Sequence, residues 1–193
     1  QNRGLPNIVI ITVNVNGMNF PIKQKHIAEW IKNHNPTTCC LQETHLKKDK
    51  IYYASAEVKK AGVAILISDK AKAKINLIKR DKEGNYILLK GTIDNEVISL
   101  LNIYAPNGIA SRFLEEKFRK LEEEIDSKTI LVGDLNLPLS ELDKSDHKIN
   151  KKDVKEVNRT LEKLGMIDLW RKLNGEKKGI YFFLGSIWHI HKN

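Results

Sequence analysis

Short apolar runs alternate with segments of helical period along the chain, and this alternation predicts an α/β fold. The first run, NIVIITVNVNG, puts Ile8 and Ile10 on one face of a strand and Val9 and Ile11 on the other. A strand that is apolar on both faces is typical of the centre of an α/β sheet. The polar residues from Asn14 onwards end this strand in a turn.

A helix and a second strand complete a βαβ unit. Pro21 opens an amphipathic helix in which Ile27 and Ile31 share the apolar face, and Pro36 stops it. The run TTCCLQETH is the next predicted strand, so the first quarter of the chain already favours a sheet covered by a helix.

Four further apolar runs follow closely, separated by turn-forming residues such as Asp94 and Asn95. They predict an antiparallel meander made of AGVAILISD, AKINLIKRD, NYILLKGTI and EVISLLNIYAP. After it come an amphipathic helix with Ser111 as its N-cap, the strand KTILVGDLN, and a last helix that Gly165 closes. This order predicts an α/β sandwich, and the length of 193 residues fits one domain spanning 1–193.

The formal net charge of +9 favours a polyanionic partner such as nucleic acid, although a lysine-rich solvated surface gives the same charge. No run approaches the roughly 20 apolar residues that a membrane-spanning helix needs. No secretory signal is recognisable, so we expect no membrane partner. The two cysteines, Cys39 and Cys40, are adjacent and predict no disulfide framework, which favours a nuclear or cytoplasmic location.

Polar side chains stand where several apolar strands end. The ligand crevice of an α/β sheet lies outside its strand ends, so these side chains converge if the ends do. Carboxylate and amide oxygens suit Mg²⁺, whereas no Cys/His set is spaced for zinc. Each member also has an ordinary explanation, because Gly-Asp-x-Asn is a common turn and a tyrosine at a strand end is often a core aromatic. The set comprises Asn14, Glu43, Asn102, Tyr104, Asp134 and Asn136.

Whole segments of the chain, in their order, resemble the endonuclease domain of long-interspersed-element (non-LTR) retrotransposons. That domain belongs to the exonuclease–endonuclease–phosphatase superfamily, together with apurinic/apyrimidinic endonucleases and exonuclease III-like enzymes. The resemblance runs from about Asn7 to Phe183. It is carried by TVNVNG, CCLQETHL, KKAGVAILISDK, IKRDKEGNYILLKG, LLNIYAPN and ILVGDLNLPLSELDKS.

The resemblance implies a DNase I-like, four-layered α/β sandwich that acts as a monomer on DNA. It implies Mg²⁺-dependent phosphodiester hydrolysis, with Mn²⁺ as an alternative ion. The implied metal-binding residues are Glu43, Asn14, Asp134 and Asn136. For catalysis it implies Asn14 near the phosphate, Tyr104 on the scissile phosphate, Asp134 on the attacking water, and Asn136 as a stabiliser of the transition state. The chemistry is consistent, because a divalent ion and amide donors stabilise charge on phosphoryl oxygens.

The sequence departs from the family after Phe183, where relatives continue with GTF(S/T)KIDH and a later SDH segment. One codon choice for LGSIWHIHKN, shifted by one nucleotide, spells LAAYGTFTK. We therefore expect residues 184–193 to be an out-of-frame tail and the fold to be incomplete at the C-terminus. His189 and His191, which would share a strand face suited to a transition metal, then form no metal site.

Loss of the family's C-terminal Asp and His predicts impaired catalysis, since the effects of catalytic residues are not additive. Two functions therefore stand beside each other, a DNA endonuclease and a basic remnant that binds DNA or is inert. A phosphatase acting on small phosphoesters is a third, disfavoured by the nearness of the retrotransposon match.

Overall fold

A computed structural model describes residues 8–44, 52–55, 62–140, 150–175 and 183–185. In these ranges the strands are β1 (Ile10–Asn14), β2 (Thr38–Gln42), β3 (Tyr52–Ser55), β4 (Gly62–Ile67), β5 (Ala73–Arg80), β6 (Tyr86–Ile93), β7 (Glu96–Tyr104), β8 (Thr129–Asp134), β9 (Met166–Asp168) and β10 (Phe183–Gly185). The helices are α1 (Pro21–His34), α2 (Ala110–Leu121), α3 (Lys151–Lys163) and α4 (Leu169–Asn174). None of the described helices is long and apolar enough to cross a membrane.

The strands form two mixed sheets. A four-stranded sheet has the order β1-β2-β4-β3, in which β1 and β2 are parallel and the other neighbours are antiparallel. A six-stranded sheet has the order β5-β6-β7-β8-β10-β9, in which β7 and β8 are the parallel pair. Each sheet therefore contains one parallel pair whose strands end at the same edge.

The two sheets pack face to face and carry helices on their outer faces. Side chains of both sheets, such as Cys40 and Leu100, share the core layer between them. On the far side of the six-stranded sheet, Leu114 and Phe118 of α2 and Leu161 of α3 fill a second apolar layer. On the far side of the four-stranded sheet, α1 packs its apolar face against Leu41 and its neighbours. The order helix, sheet, sheet, helix confirms the predicted four-layered α/β sandwich.

The prediction that the first strand lies at the centre of a sheet is wrong for the sheet as described. β1 is the end strand of the four-stranded order. Both of its faces are nevertheless covered, since Ile8 and Ile10 pack towards the six-stranded sheet and Val13 packs towards α1. An apolar face indicates that another layer covers that side of a strand, but it does not indicate which strands pair with it in the sheet.

Two local predictions are also corrected. The meander holds for β5, β6 and β7, but β4 belongs to the other sheet and pairs with β2 and β3. Ser111 is not the N-cap of α2, because the cap position is Ile109 and no side chain caps the helix there. Ser111 lies inside the first turn, where its hydroxyl donates to the Glu115 carboxylate at 3.4 Å.

Candidate active site

The strand ends that carry the predicted polar residues meet at one rim of the sandwich. In the four-stranded sheet Asn14 lies opposite Gln42, so Asn14 and Glu43 leave their parallel strands side by side. In the six-stranded sheet Tyr104 lies opposite Asp134, and both residues end their parallel strands. Because the sheets face each other, these two edges lie together, and the side chains from both sheets come into contact.

The side chain of Asn14 joins the two carboxylates of the site. Its Nδ2 donates to Glu43 Oε1 at 2.8 Å and to Asp134 Oδ2 at 2.8 Å. Its Oδ1 accepts the backbone N–H of Asn16 at 2.9 Å, which fixes the orientation of the amide, because an N–H requires an oxygen acceptor. One amide group therefore holds a carboxylate of each sheet against the other.

The backbone at the site adopts conformations that are uncommon for residues with side chains. Asn16, Glu43 and Asn136 have φ values of 44°, 55° and 45°. Such left-handed residues persist where the surroundings hold them in place, and they concentrate at functional sites. Here the Gly17 N–H donates to the Glu43 carbonyl at 2.7 Å and the Thr44 N–H donates to the Gly62 carbonyl at 3.0 Å. These bonds fix the direction in which the Glu43 side chain leaves the sheet.

Tyr104 lies partly buried beside the two carboxylates. Burial raises the pKa of its phenol, and the negative charge of Glu43 and a hydrogen bond to that carboxylate raise it further. The carboxylate of Asp134 acts in the same direction, while a hydrogen bond with Asn136 opposes it. Tyr104 therefore keeps its proton at neutral pH and donates a hydrogen bond to the Glu43 carboxylate.

Asn136 ties the loop after β8 to the loop after β7. Its backbone N–H donates to Asp134 Oδ1 at 3.1 Å, and its Nδ2 donates to the Ala105 carbonyl at 2.8 Å. The Ala105 N–H in turn donates to the Asp134 carbonyl at 2.8 Å. The turn expected from Gly-Asp-x-Asn is thus present, and it also fixes the Asp134 carboxylate in the site.

Asn102, the remaining member of the predicted set, lies away from the open rim. It precedes Tyr104 by two residues on the same face of β7, so its side chain points into the layer between the sheets, where it is fully buried. There it contacts Gln42, which the sequence analysis did not single out. A lone glutamine at the end of the apolar run TTCCLQ was the available signal.

The donor set fits a hard divalent ion. Glu43 and Asp134 supply charged oxygens, and no cluster of three or more Asp, Glu, His or Cys exists among the described residues. Mg²⁺ is commonly bound through one or two carboxylates, its other positions being filled by water and substrate phosphate. His189 and His191 lie outside the described residues, as does most of the stretch 184–193.

The chain has relatives in sequence. It matches the model of the Endonuclease/Exonuclease/phosphatase family over residues 11–190. It is 28% identical to the DNA-(apurinic or apyrimidinic site) endonuclease of Dictyostelium discoideum, with 90% of this chain and 56% of that protein covered. It is 23% identical to the transposon TX1 uncharacterized 149 kDa protein of Xenopus laevis, with 86% of this chain and 14% of that protein covered. The chain thus spans about half of the first relative and a small part of the second.

The fold is also similar to that of solved structures. An AP endonuclease from Archaeoglobus fulgidus superposes with a TM-score of 0.72 at 19% identity, over 92% of this chain and 86% of that chain. The sequence and fold matches together confirm the resemblance to apurinic/apyrimidinic endonucleases and retrotransposon proteins.

Proposed function

The chain belongs to the endonuclease/exonuclease/phosphatase family, and on that premise we propose that it is a divalent-metal-dependent phosphodiesterase that nicks DNA. The observation that carries the proposal is the contact of Asn14 with Glu43 and Asp134, which brings carboxylates of two sheets to one point. A family fold with scattered polar strand ends would not support catalysis, whereas a joined pair of carboxylates can.

Glu43 and Asp134 would hold the ion, Mg²⁺ or Mn²⁺, and Asn136 would add a neutral amide oxygen as a ligand. Asn14 turns its amide nitrogen to the carboxylates, so we assign it to keeping them together next to the metal and the phosphate. A bound divalent ion stabilises negative charge on phosphoryl oxygens.

The remaining roles rest on what each side chain can donate or accept. Asp134 takes a proton from the attacking water as the water oxygen bonds to phosphorus. The bond from phosphorus to the leaving oxygen breaks, and that oxygen keeps the bonding electrons and takes up a proton from Asp134. Tyr104 keeps its proton and would turn its hydroxyl from Glu43 to the phosphate when substrate is bound. Asn136 stabilises the transition state through its amide, since preorganised donors near a developing charge are effective in a partly water-excluded site.

DNA is the proposed substrate on two grounds. The net charge of +9 favours a polyanion, and the relative from Dictyostelium discoideum is named as a DNA endonuclease. Both cysteines are free thiols, which agrees with action in the nucleus or cytoplasm. We propose that the chain acts as a monomer.

A second function, DNA binding without cleavage, is favoured by one observation. The net charge of +9 supports binding of a polyanion whether or not the chain cleaves it.

Nicking of supercoiled plasmid separates the two functions. We expect the wild-type chain to produce open circles with Mg²⁺ and none with EDTA, and Asp134→Ala to lose this activity. Retarded plasmid mobility without nicking, equal in wild type and Asp134→Ala, would favour the binding function. Release of phosphate from a sugar phosphate without nicking would indicate a phosphatase.

A further inference from the structure

Two buried amide side chains cross the interface between the sheets just below the candidate active site. Gln42 is 1% exposed and Asn102 is 0% exposed. Gln42 Nε2 donates to Asn102 Oδ1 at 2.7 Å and to Thr12 Oγ1 at 2.9 Å. Asn102 Nδ2 donates to the carbonyl oxygens of Leu41 at 3.0 Å and Ala64 at 2.9 Å. Asn102, from the six-stranded sheet, is thus bound to β2 and β4 of the four-stranded sheet.

The chemistry of this contact is specific to an asparagine. Both N–H groups of the Asn102 amide have a carbonyl acceptor and its oxygen has a donor, so the group has one orientation. An aspartate would lack the two donors, and a leucine would leave the carbonyls of Leu41 and Ala64 without these partners. A buried amide whose donors and acceptor are all paired, like that of Asn102, fixes the arrangement of the elements it joins more strictly than apolar contacts do.

The arrangement it fixes is that of the active site. Gln42 directly precedes Glu43, and Asn102 precedes Tyr104 by two residues on the same face of β7. Because Glu43 comes from one sheet and Tyr104 and Asp134 come from the other, a slide of the sheets would separate them. Glu43 also has a left-handed backbone, with φ of 55°, which depends on its neighbours for its position.

We propose that Gln42 and Asn102 are positioning residues that set the place of Glu43 relative to Tyr104 and Asp134. Their effect on metal binding and cleavage rests on the proposed function, whereas their effect on the backbone at Glu43 does not. Removing one member of this buried network leaves its partners unpaired and lowers stability, whether or not the contact positions Glu43. Stability alone therefore does not test the proposal, and a local measurement is needed.

The test compares Asn102→Leu and Gln42→Leu with Ile98→Ala, a core variant on the same face of β7. Amide hydrogen exchange by NMR is measured at Gly17 and Thr44. The Gly17 N–H donates to the Glu43 carbonyl, and the N–H of Thr44, the residue after Glu43, donates to the Gly62 carbonyl. In each leucine variant we expect these two amides to exchange at least tenfold faster relative to the amides of the core strands. In Ile98→Ala we expect no such local difference.

The affinity for Mn²⁺ provides the second readout. We expect the dissociation constant to rise about tenfold in both leucine variants and to stay at the wild-type value in Ile98→Ala. Exchange at Gly17 and Thr44 that is no faster than in Ile98→Ala overturns the proposal. If exchange is faster but the wild-type chain neither binds Mn²⁺ nor nicks DNA, the positioning role stands and the proposed function fails. Two separate leucine variants keep the test decisive if one of them does not fold.

Discussion

β7 and β8 approach each other closely at Gly133, and the distances there predict the effect of one added methyl group. A Cβ at Gly133 would lie 1.8 Å from the carbonyl oxygen of Ile103 and 2.8 Å from its carbonyl carbon. Gly133 also has φ of 142°, which residues with side chains rarely adopt. Backbone strain and forced overpacking each contribute about 1–3 kcal/mol, so Gly133→Ala should lower the free energy of unfolding by about 4 kcal/mol.

Gly165→Ala is the matched control. Gly165 has φ of 68°, but nothing lies within 4 Å of an added Cβ, so the substitution isolates the backbone conformation from the close contact. We expect it to lower the free energy of unfolding by about 1 kcal/mol. Urea unfolding followed by far-UV circular dichroism gives both values, provided that the two variants share the slope of the wild-type transition.

The same clash has a consequence for the site. Gly133 precedes Asp134 and Ile103 precedes Tyr104, so a forced separation of the strands moves these two side chains apart. Gly133→Ala should therefore lose nicking activity at temperatures where it is still folded. Equal loss of stability in the two alanine variants would refute the reasoning, because it would mean that β7 and β8 are not in close contact at this position.

Three further predictions concern buried or partly buried groups. Lys117 and Asp81 form an ion pair at 3.2 Å, and their side chains are 7% and 9% exposed. In urea titration Lys117→Met should lower the free energy of unfolding by about 3 kcal/mol, because it leaves the Asp81 carboxylate buried without its partner. Adding Asp81→Asn to this variant should recover part of the loss. Burial raises the pKa of Cys39 to about 12 and that of Cys40 well above its ordinary value, so both thiols should resist a disulfide reagent until urea is added. The free energy of unfolding should fall as the pH rises above about 9, because the thiols then ionise in the unfolded chain but not in the folded one. Tyr104→Phe should lower the nicking rate about 100-fold with Mn²⁺ affinity unchanged, and equal rates would exclude Tyr104 from catalysis.

The position of each polar group at the end of a strand could be predicted from the sequence, whereas the meeting of these ends was only a condition of that prediction. Asn14 and Glu43 follow one parallel pair, and Tyr104 and Asp134 end another, so period-2 patterns and turn residues were sufficient to place them at sheet edges. The family resemblance added their roles. What it could not add was the direction of the Asn14 amide, which depends on a backbone N–H two residues further on.

The polar tie between the sheets could not be predicted, for a physical reason. Gln42 ends an apolar run, and its partner Asn102 lies 60 residues further along the chain, so no local pattern connects them. The sheet to which β4 belongs was missed for the same reason, because an apolar run indicates a strand without indicating its partner. The left-handed backbone at Glu43 also has no local signal, since glutamate is not a residue that favours it.

We propose that Glu43 of one sheet and Asp134 of the other hold a single divalent ion between them. Electron paramagnetic resonance of free Mn²⁺, titrated with the wild-type chain and with Glu43→Gln and Asp134→Asn, tests it most directly. We expect one ion per wild-type chain and at least tenfold weaker binding in each variant. Combining the two substitutions should weaken binding by no more than the product of the two single effects. Binding that is absent from the wild-type chain, or unchanged in both variants, would contradict it.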